Sequence, residues 1–226
     1  MNTPRVMIVG AVLSSVLLSS CVSEVTEKNQ YSGFLPSYAG LKEAKSPSGH
    51  PVMRWIDPDF KPRSYSTVVF DKLQMYPAPK PDERVNRKTL QDLQNYASTT
   101  AKETIALRYK VVPDLQSVPT GERAMVLKAA ITGVSASNEG MKWYEVLPIT
   151  AVVGAASAAT GHRDQNTELY IEGSINDATT GRPYVYVVRK VFGQTVDNDK
   201  QAITANDFKA AIKELNSDLS IMLNKQ

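Results

Sequence analysis

The chain of 226 residues holds a single cysteine, Cys21, so no disulfide can form within it and the fold must stand on core packing. That cysteine closes an apolar run, Val6-Met7-Ile8-Val9-Gly10-Ala11-Val12-Leu13-Ser14-Ser15-Val16-Leu17-Leu18. Arg5 stands ahead of the run, and the small residues Ser19 and Ser20 stand behind it. A charged start, an apolar middle and a small-residue exit are the parts of a secretory signal peptide. A permanent spanning helix wants ~20 consecutive apolar residues, and this run is shorter and broken by serines.

An aliphatic residue, two small residues and then cysteine, here Leu18-Ser19-Ser20-Cys21, resembles the lipobox of bacterial lipoproteins. The resemblance implies that residues 1–20 are removed and that Cys21 becomes the acylated first residue of the mature chain. Lipoproteins of this kind carry three acyl chains, palmitate among them. At ~0.8 kcal/mol per buried methylene, two or more chains hold a protein firmly on a bilayer without any spanning helix. Val22 follows the cysteine, where an aspartate would signal inner-membrane retention in enterobacteria. The implied location is therefore the outer membrane, facing the periplasm.

After that removal about 200 residues remain, enough for one sizeable core. The 26 basic and 23 acidic side chains leave a net charge of +3 with no basic stripe, so no nucleic-acid partner is expected. Residues 21–30 are polar and without period, and read as a lipidated tether. Residues 31–41 scatter Tyr31, Phe34, Leu35, Tyr38 and Leu41 among glycines and a proline, as an irregular arm would. Phe34 and Tyr38 could form a ligand platform, but anchors that pin the arm to the body are the favoured reading.

The order Gly33-Phe34-Leu35, Tyr38, Leu41, Met53-Arg54-Trp55-Ile56, then Tyr65 and Thr67-Val68-Val69-Phe70, is similar to a family of uncharacterised bacterial lipoproteins, domain of unknown function 3313. The resemblance covers most of the mature chain and implies location and architecture, with no activity attached.

Residues 42–63 are rich in Pro, Gly, Ser and charge and read as loop, tied down by Trp55 and Ile56. A strand is expected over 65–75, followed by a polyproline-like stretch at 76–81. Leu90, Leu93, Ala97, Ala101, Thr104 and Arg108 recur at helical spacing and predict a helix over 86–109, with Asn86 as its cap. Val111-Val112-Pro113 is read as its end. Residues 123–134 are apolar on nearly both faces, as a central strand would be. Residues 167–177 alternate, with Leu169, Ile171 and Ile175 inward and Glu168, Tyr170 and Glu172 outward on a solvated face. A turn at 177–182 leads into a strand over 183–192, completing a hairpin. Thr204 and Asp207 match a capping box, Ile203 and Phe208 a hydrophobic staple, and Leu215 belongs to the apolar stripe of a final helix. This order predicts one α+β domain over 31–226: a two-layer sandwich with a mostly antiparallel sheet and helices packed on one face.

Residues 148–160 carry no charge and fit a helix of ~20 Å, too short for a ~30 Å bilayer core. Ala151, Ala155 and Ala159, with Gly154 and Ala158, line one small-residue face. That face is a candidate surface for an envelope protein or a second copy, as well as a candidate for plain core.

No chemistry-bearing motif stands out. His50 and His162 are isolated, so no metal site is expected. His162-Arg163-Asp164 lacks a serine in a nucleophile elbow, and no glycine-rich phosphate loop or other cofactor motif follows a strand. Glu168 and Glu172 lie ~13 Å apart along one strand, too far for paired acid–base work. The sequence thus favours a non-catalytic accessory or binding protein of the envelope, the alternative being a cell-envelope hydrolase with an unrecognised site.

Overall fold

The computed structural model describes residues 25–137, 165–197 and 200–224. Among the described residues, eight strands form one sheet: β1 (Lys42–Lys45), β2 (Pro51–Ile56), β3 (Thr67–Val69), β4 (Gln74–Met75), β5 (Lys110–Val112), β6 (Ala124–Ser137), β7 (Gln165–Asp177) and β8 (Pro183–Val196). Two helices accompany it, α1 (Arg87–Ala106) and α2 (Lys209–Leu223). The strand order is β1-β2-β8-β7-β6-β3-β5, with β4 alongside β6.

The fold is α+β, but its sheet is mixed and not mostly antiparallel. The ladders from β1 through β2, β8 and β7 to β6 are antiparallel. β3 pairs in parallel with both β5 and β6, and β4 pairs in parallel with β6. The cause is the segment β3–α1–β5. Two parallel neighbours need a crossover, and α1 supplies it, so Val111-Val112 is a strand and not merely a helix end.

Local chemistry explains the element boundaries. Asn86 accepts a hydrogen bond from Thr89 N–H at 2.9 Å, which caps α1. The buried stripe of α1 runs through Leu90, Leu93, Ala97, Ala101 and Ile105, while Arg108 lies past the helix and is exposed. Thr204 and Asp207 form the capping box, on a 3-10 turn that leads into α2. Ile203 and Phe208 are both fully buried beside it. Between β7 and β8, the Asp177 carboxylate accepts from Thr179 and Thr180 N–H at 2.9 and 2.8 Å, and Gly181 takes the positive φ the turn needs.

Residues 42–56, read from composition as loop, are instead the hairpin β1–β2 at the sheet edge. Lys42, Glu43 and Lys45 are exposed on β1, and charge on an edge strand blocks further pairing, which is why no apolar alternation marks β1. The strand expected over 65–75 is interrupted, since Leu73 N–H turns to the Ser98 hydroxyl of α1 at 3.0 Å.

One core cluster joins α1 and α2 to Met125, Ile131, Leu169, Ile175, Val185 and Val191 of the sheet. The opposite face carries Tyr186 and Val188, over which Tyr31, Phe34, Leu35, Tyr38 and Leu41 of the N-terminal arm pack together with Met53 and Trp55.

Candidate functional site

The two faces of the sheet are built differently. Opposite the helices, β7 presents Glu168, Tyr170 and Glu172, and these are not solvated: their exposures are 1%, 2% and 0%. The N-terminal arm covers them. Glu172 accepts from Ser32 N–H at 2.7 Å and from the Tyr38 hydroxyl at 2.5 Å. Glu168 accepts from the Tyr170 hydroxyl at 2.8 Å and from Ser135 at 3.3 Å. Gln30 reaches the Tyr170 hydroxyl from above at 3.4 Å. A buried carboxylate is tolerated only when its oxygens are satisfied; the arm supplies the donors to Glu172, and the sheet residues Tyr170 and Ser135 supply those to Glu168. Burial first, and then the bond to Glu172, push the Tyr38 hydroxyl up to about 12. Tyr170 is raised further, by burial and by the Glu168 charge. The ring of Tyr170 fits because Gly133 across the ladder has no side chain; a Cβ there would lie 3.0 Å from Tyr170 Cδ2. Phe34 and Tyr38 thus act as anchors of the arm, as their setting in the sequence suggested.

Towards the helices the sheet is apolar but hollow. A cavity of about 170 Å³ lies between α1, α2 and strands β2, β6, β7 and β8. Its walls include Ala97 and Ala101 of α1, Leu215 and Leu219 of α2, and Leu127 and Ile171 of the sheet. Leu127, Ala129, Ile171, Leu215, Leu219 and Met222 are only partly buried, although the first three sit on the two strands that form the centre of the sheet. On β7, Glu168 and Glu172 are therefore sealed while Ile171 keeps accessible surface between the buried Leu169 and Ile175. The small side chains of Ala97, Ala101, Ala129 and Gly173 leave the gap. An apolar cavity of ~150 Å³ stays dry and accepts a benzene ring, which sets the scale of what fits here.

The polar end of the cavity lies where the β1–β2 turn meets α2. Arg189 of β8 is 4% exposed and is held by Asp218 and Glu214 of α2. Ser48 ties the turn to the same group, donating to Asp218 from its N–H at 2.7 Å and its hydroxyl at 2.8 Å. Burial raises the Asp218 carboxyl, but hydrogen bonds from Ser48, Arg189 and Ser46 outweigh it and hold the group below its ordinary range. Arg189 Nε–H, by contrast, is buried with no acceptor among the described residues. His50 lies 3.4 Å from Glu214 at the exposed rim.

Arg54 also lines the cavity. On β2, Val52, Arg54 and Ile56 face the cavity, while Met53 and Trp55 face the arm. Composition read this segment as loop and singled out Trp55 and Ile56 only. The alternation over residues 52–56 was the signal that could have found Arg54.

Leu18, Ser19, Ser20 and Cys21 fall outside the described residues, as do Ala151, Gly154, Ala155, Ala158, Ala159 and His162. Among the described residues, no helix is long and apolar enough to cross a membrane, and no group of three or more His, Cys, Asp or Glu is placed to hold a metal ion.

An arm over one face of a mixed sheet and an apolar hollow on its other face characterise this α+β fold. The chain belongs to the family described as "Protein of unknown function (DUF3313)", whose model matches residues 30–219. It is 38% identical over 227 residues to the "Uncharacterized lipoprotein YdcL" of Escherichia coli K12, covering all of both chains, and equally to that of Escherichia coli O157:H7. Among solved structures it aligns with the PelC dodecamer from Paraburkholderia phytofirmans at TM-score 0.38 and 11% identity, covering 77% of this chain and 98% of that one. It also aligns with a neuraminyllactose-binding hemagglutinin homolog from Helicobacter pylori at TM-score 0.36 and 9% identity, covering 80% and 89%.

Proposed function

We propose that the chain is a lipid-anchored protein of the outer membrane, held on the periplasmic side by acylated Cys21, and that it acts by binding rather than by catalysis. The anchor is supported by Leu18-Ser19-Ser20-Cys21 and by a full-length relative that is called a lipoprotein. The observation that carries the binding role is the hollow between sheet and helices, with central-strand side chains left half-exposed inside it. Interiors ordinarily pack to crystal density, so an apolar gap of this size costs stability unless a ligand fills it. The apolar walls fit a ligand held by exclusion from water, and few convergent polar groups are needed to orient it.

Two measurements test the proposal. Cys21→Ala is expected to move the protein from the membrane pellet to the soluble fraction, and retention after a salt wash at unchanged gel mobility overturns the anchor. A neutral decanol bearing a photoreactive diazirine at its chain end is expected to label Leu127, Ile171 or Leu215. Ala129→Phe, which fills the gap, is expected to abolish that labelling; labelling indifferent to the plug overturns the binding site.

A further inference from the structure

The cavity is apolar along its length, yet one end of it carries positive charge without a matching anion. Arg54 points into that end from β2. Its direct neighbour across the ladder is Lys42 of β1, so the two side chains stand on the same face. Directly opposed residues in an antiparallel pair have Cβ atoms only ~5 Å apart, and like charges so placed repel. Neither cation has a salt bridge or side-chain hydrogen bond among the described residues. The acidic groups that α2 brings to this end, Glu214 and Asp218, are both engaged by Arg189. Arg189 itself sits beside Val52, one alternate position along from Arg54 on the same face, and its buried Nε–H lacks an acceptor. Arg54, Lys42 and Arg189 thus stand against two carboxylates, Glu214 and Asp218, and leave this end with one positive charge in excess.

On the reading that the cavity binds an apolar ligand, we propose that the ligand is a single-chain amphiphile with an anionic head. Its chain enters between Leu127, Ile171 and Leu215, and its head rests between Arg54 and Lys42. The cavity volume sets the chain: with room on the scale of one benzene ring, it holds a segment of about six carbons and excludes a two-chain lipid. Charge complementarity sets the head, since an anion between the two cations turns their repulsion into attraction. A fatty acid and a lysophospholipid share this chemistry and differ only in carboxylate against phosphate.

The test uses the full chain in lipid nanodiscs with three diazirine-tagged probes: decanoate, decanol and lysophosphatidylglycerol. Labelled peptides are mapped by mass spectrometry as probe concentration is raised. Decanoate or lysophosphatidylglycerol is expected to label the lining at lower concentration than decanol does, and the better of the two identifies the head group. Arg54→Gln is expected to shrink that preference by about fivefold, the size of one partly shielded ion pair, and Lys42→Gln to shrink it further. Arg54 is half-exposed and makes no internal bond, so the variant keeps its fold; its thermal unfolding provides the check. A preference that survives both substitutions overturns the anionic head, as does equal labelling by decanol and the anions, while leaving the cavity site standing. If no probe labels the lining, the binding site falls, and the head-group assignment with it.

Discussion

Ile171 and Glu172 are neighbours on one central strand, and the structure treats them the opposite way from their chemistry. Glu172 is fully sealed, while Ile171 is left partly open. The face towards the arm buries charged groups among apolar ones and is tightly packed: every carboxylate oxygen of Glu172 and one of Glu168 accepts a hydrogen bond, and a Cβ at Gly133 would already touch Tyr170. The face towards the helices is apolar and underfilled. A face that must satisfy buried charge needs fixed partners at fixed distances, whereas an apolar face tolerates a gap at the cost of lost contacts. The contrast separates the part of the sheet that holds the fold from the part that is free to hold something else.

The sharpest way to break this contrast is on α2. Ile212 also borders the cavity but is 2% exposed, and Ile212→Ala is expected to cost ~2–5 kcal/mol in denaturant unfolding. Leu215, one turn on, faces the cavity and is half-exposed, so Leu215→Ala should cost less than ~2 kcal/mol because part of its surface is never buried. Equal costs would mean that the helix face is as closed as any other core.

On the arm face, Glu172→Leu removes the acceptor of Ser32 N–H and of the Tyr38 hydroxyl. Leaving these partly buried donors unpaired costs about 1 kcal/mol each, and the arm should become the first site of limited proteolysis. An arm that stays protected in this variant would show that its aromatic side chains suffice.

Added volume should separate the faces again. Gly133→Ala is expected to destabilise by ~1–3 kcal/mol, because the new Cβ meets the Tyr170 ring at 3.0 Å. Ala129→Leu, on the hollow side of the same strand, should leave the unfolding midpoint unchanged or raise it. A comparable loss from Ala129→Leu would end the idea of spare room.

The smallest effects are those of pH, and they too divide by face. Tyr38 has its folded value raised to about 12, so its contribution is whole below the ordinary tyrosine value of 10.0 and is lost as pH rises through about 12. Asp218 has its folded value lowered, so its contribution is present above the ordinary value of 3.8 and is lost as pH falls through its depressed value. Alkali should therefore loosen the arm first and acid the α2 clamp, as read by hydrogen exchange; Tyr38→Phe and Asp218→Asn should each flatten one limb.

Periodicity was a sound guide wherever one residue type faced one environment. The caps at Asn86 and Thr204, the buried pair Ile203 and Phe208, the stripe of α1 and the β7–β8 hairpin were all legible for that reason. It misled at Glu168 and Glu172, where a polar stripe was taken for a wet one. Alternation reports which residues share a face but not what covers that face, and here the cover comes from residues some 140 positions away in the chain. The cavity was invisible for a related reason: small residues such as Ala97, Ala101 and Ala129 are compatible with a tight core or with a gap, and only the spacing of the two layers distinguishes them.

By itself, then, the sequence determined what is local and chemical: the Leu18-to-Cys21 motif, the impossibility of an internal disulfide, the helix caps, the hairpin turn and the α+β succession of elements. Only the tertiary structure decided that β3 runs parallel to β5 and β6, that the charged hairpin of residues 42–56 closes one edge of the sheet, and that Arg54 and Lys42 meet there. The physical reason is that short, weakly alternating strands draw their stability from their partners, and partners are chosen by long-range burial that no window of sequence contains.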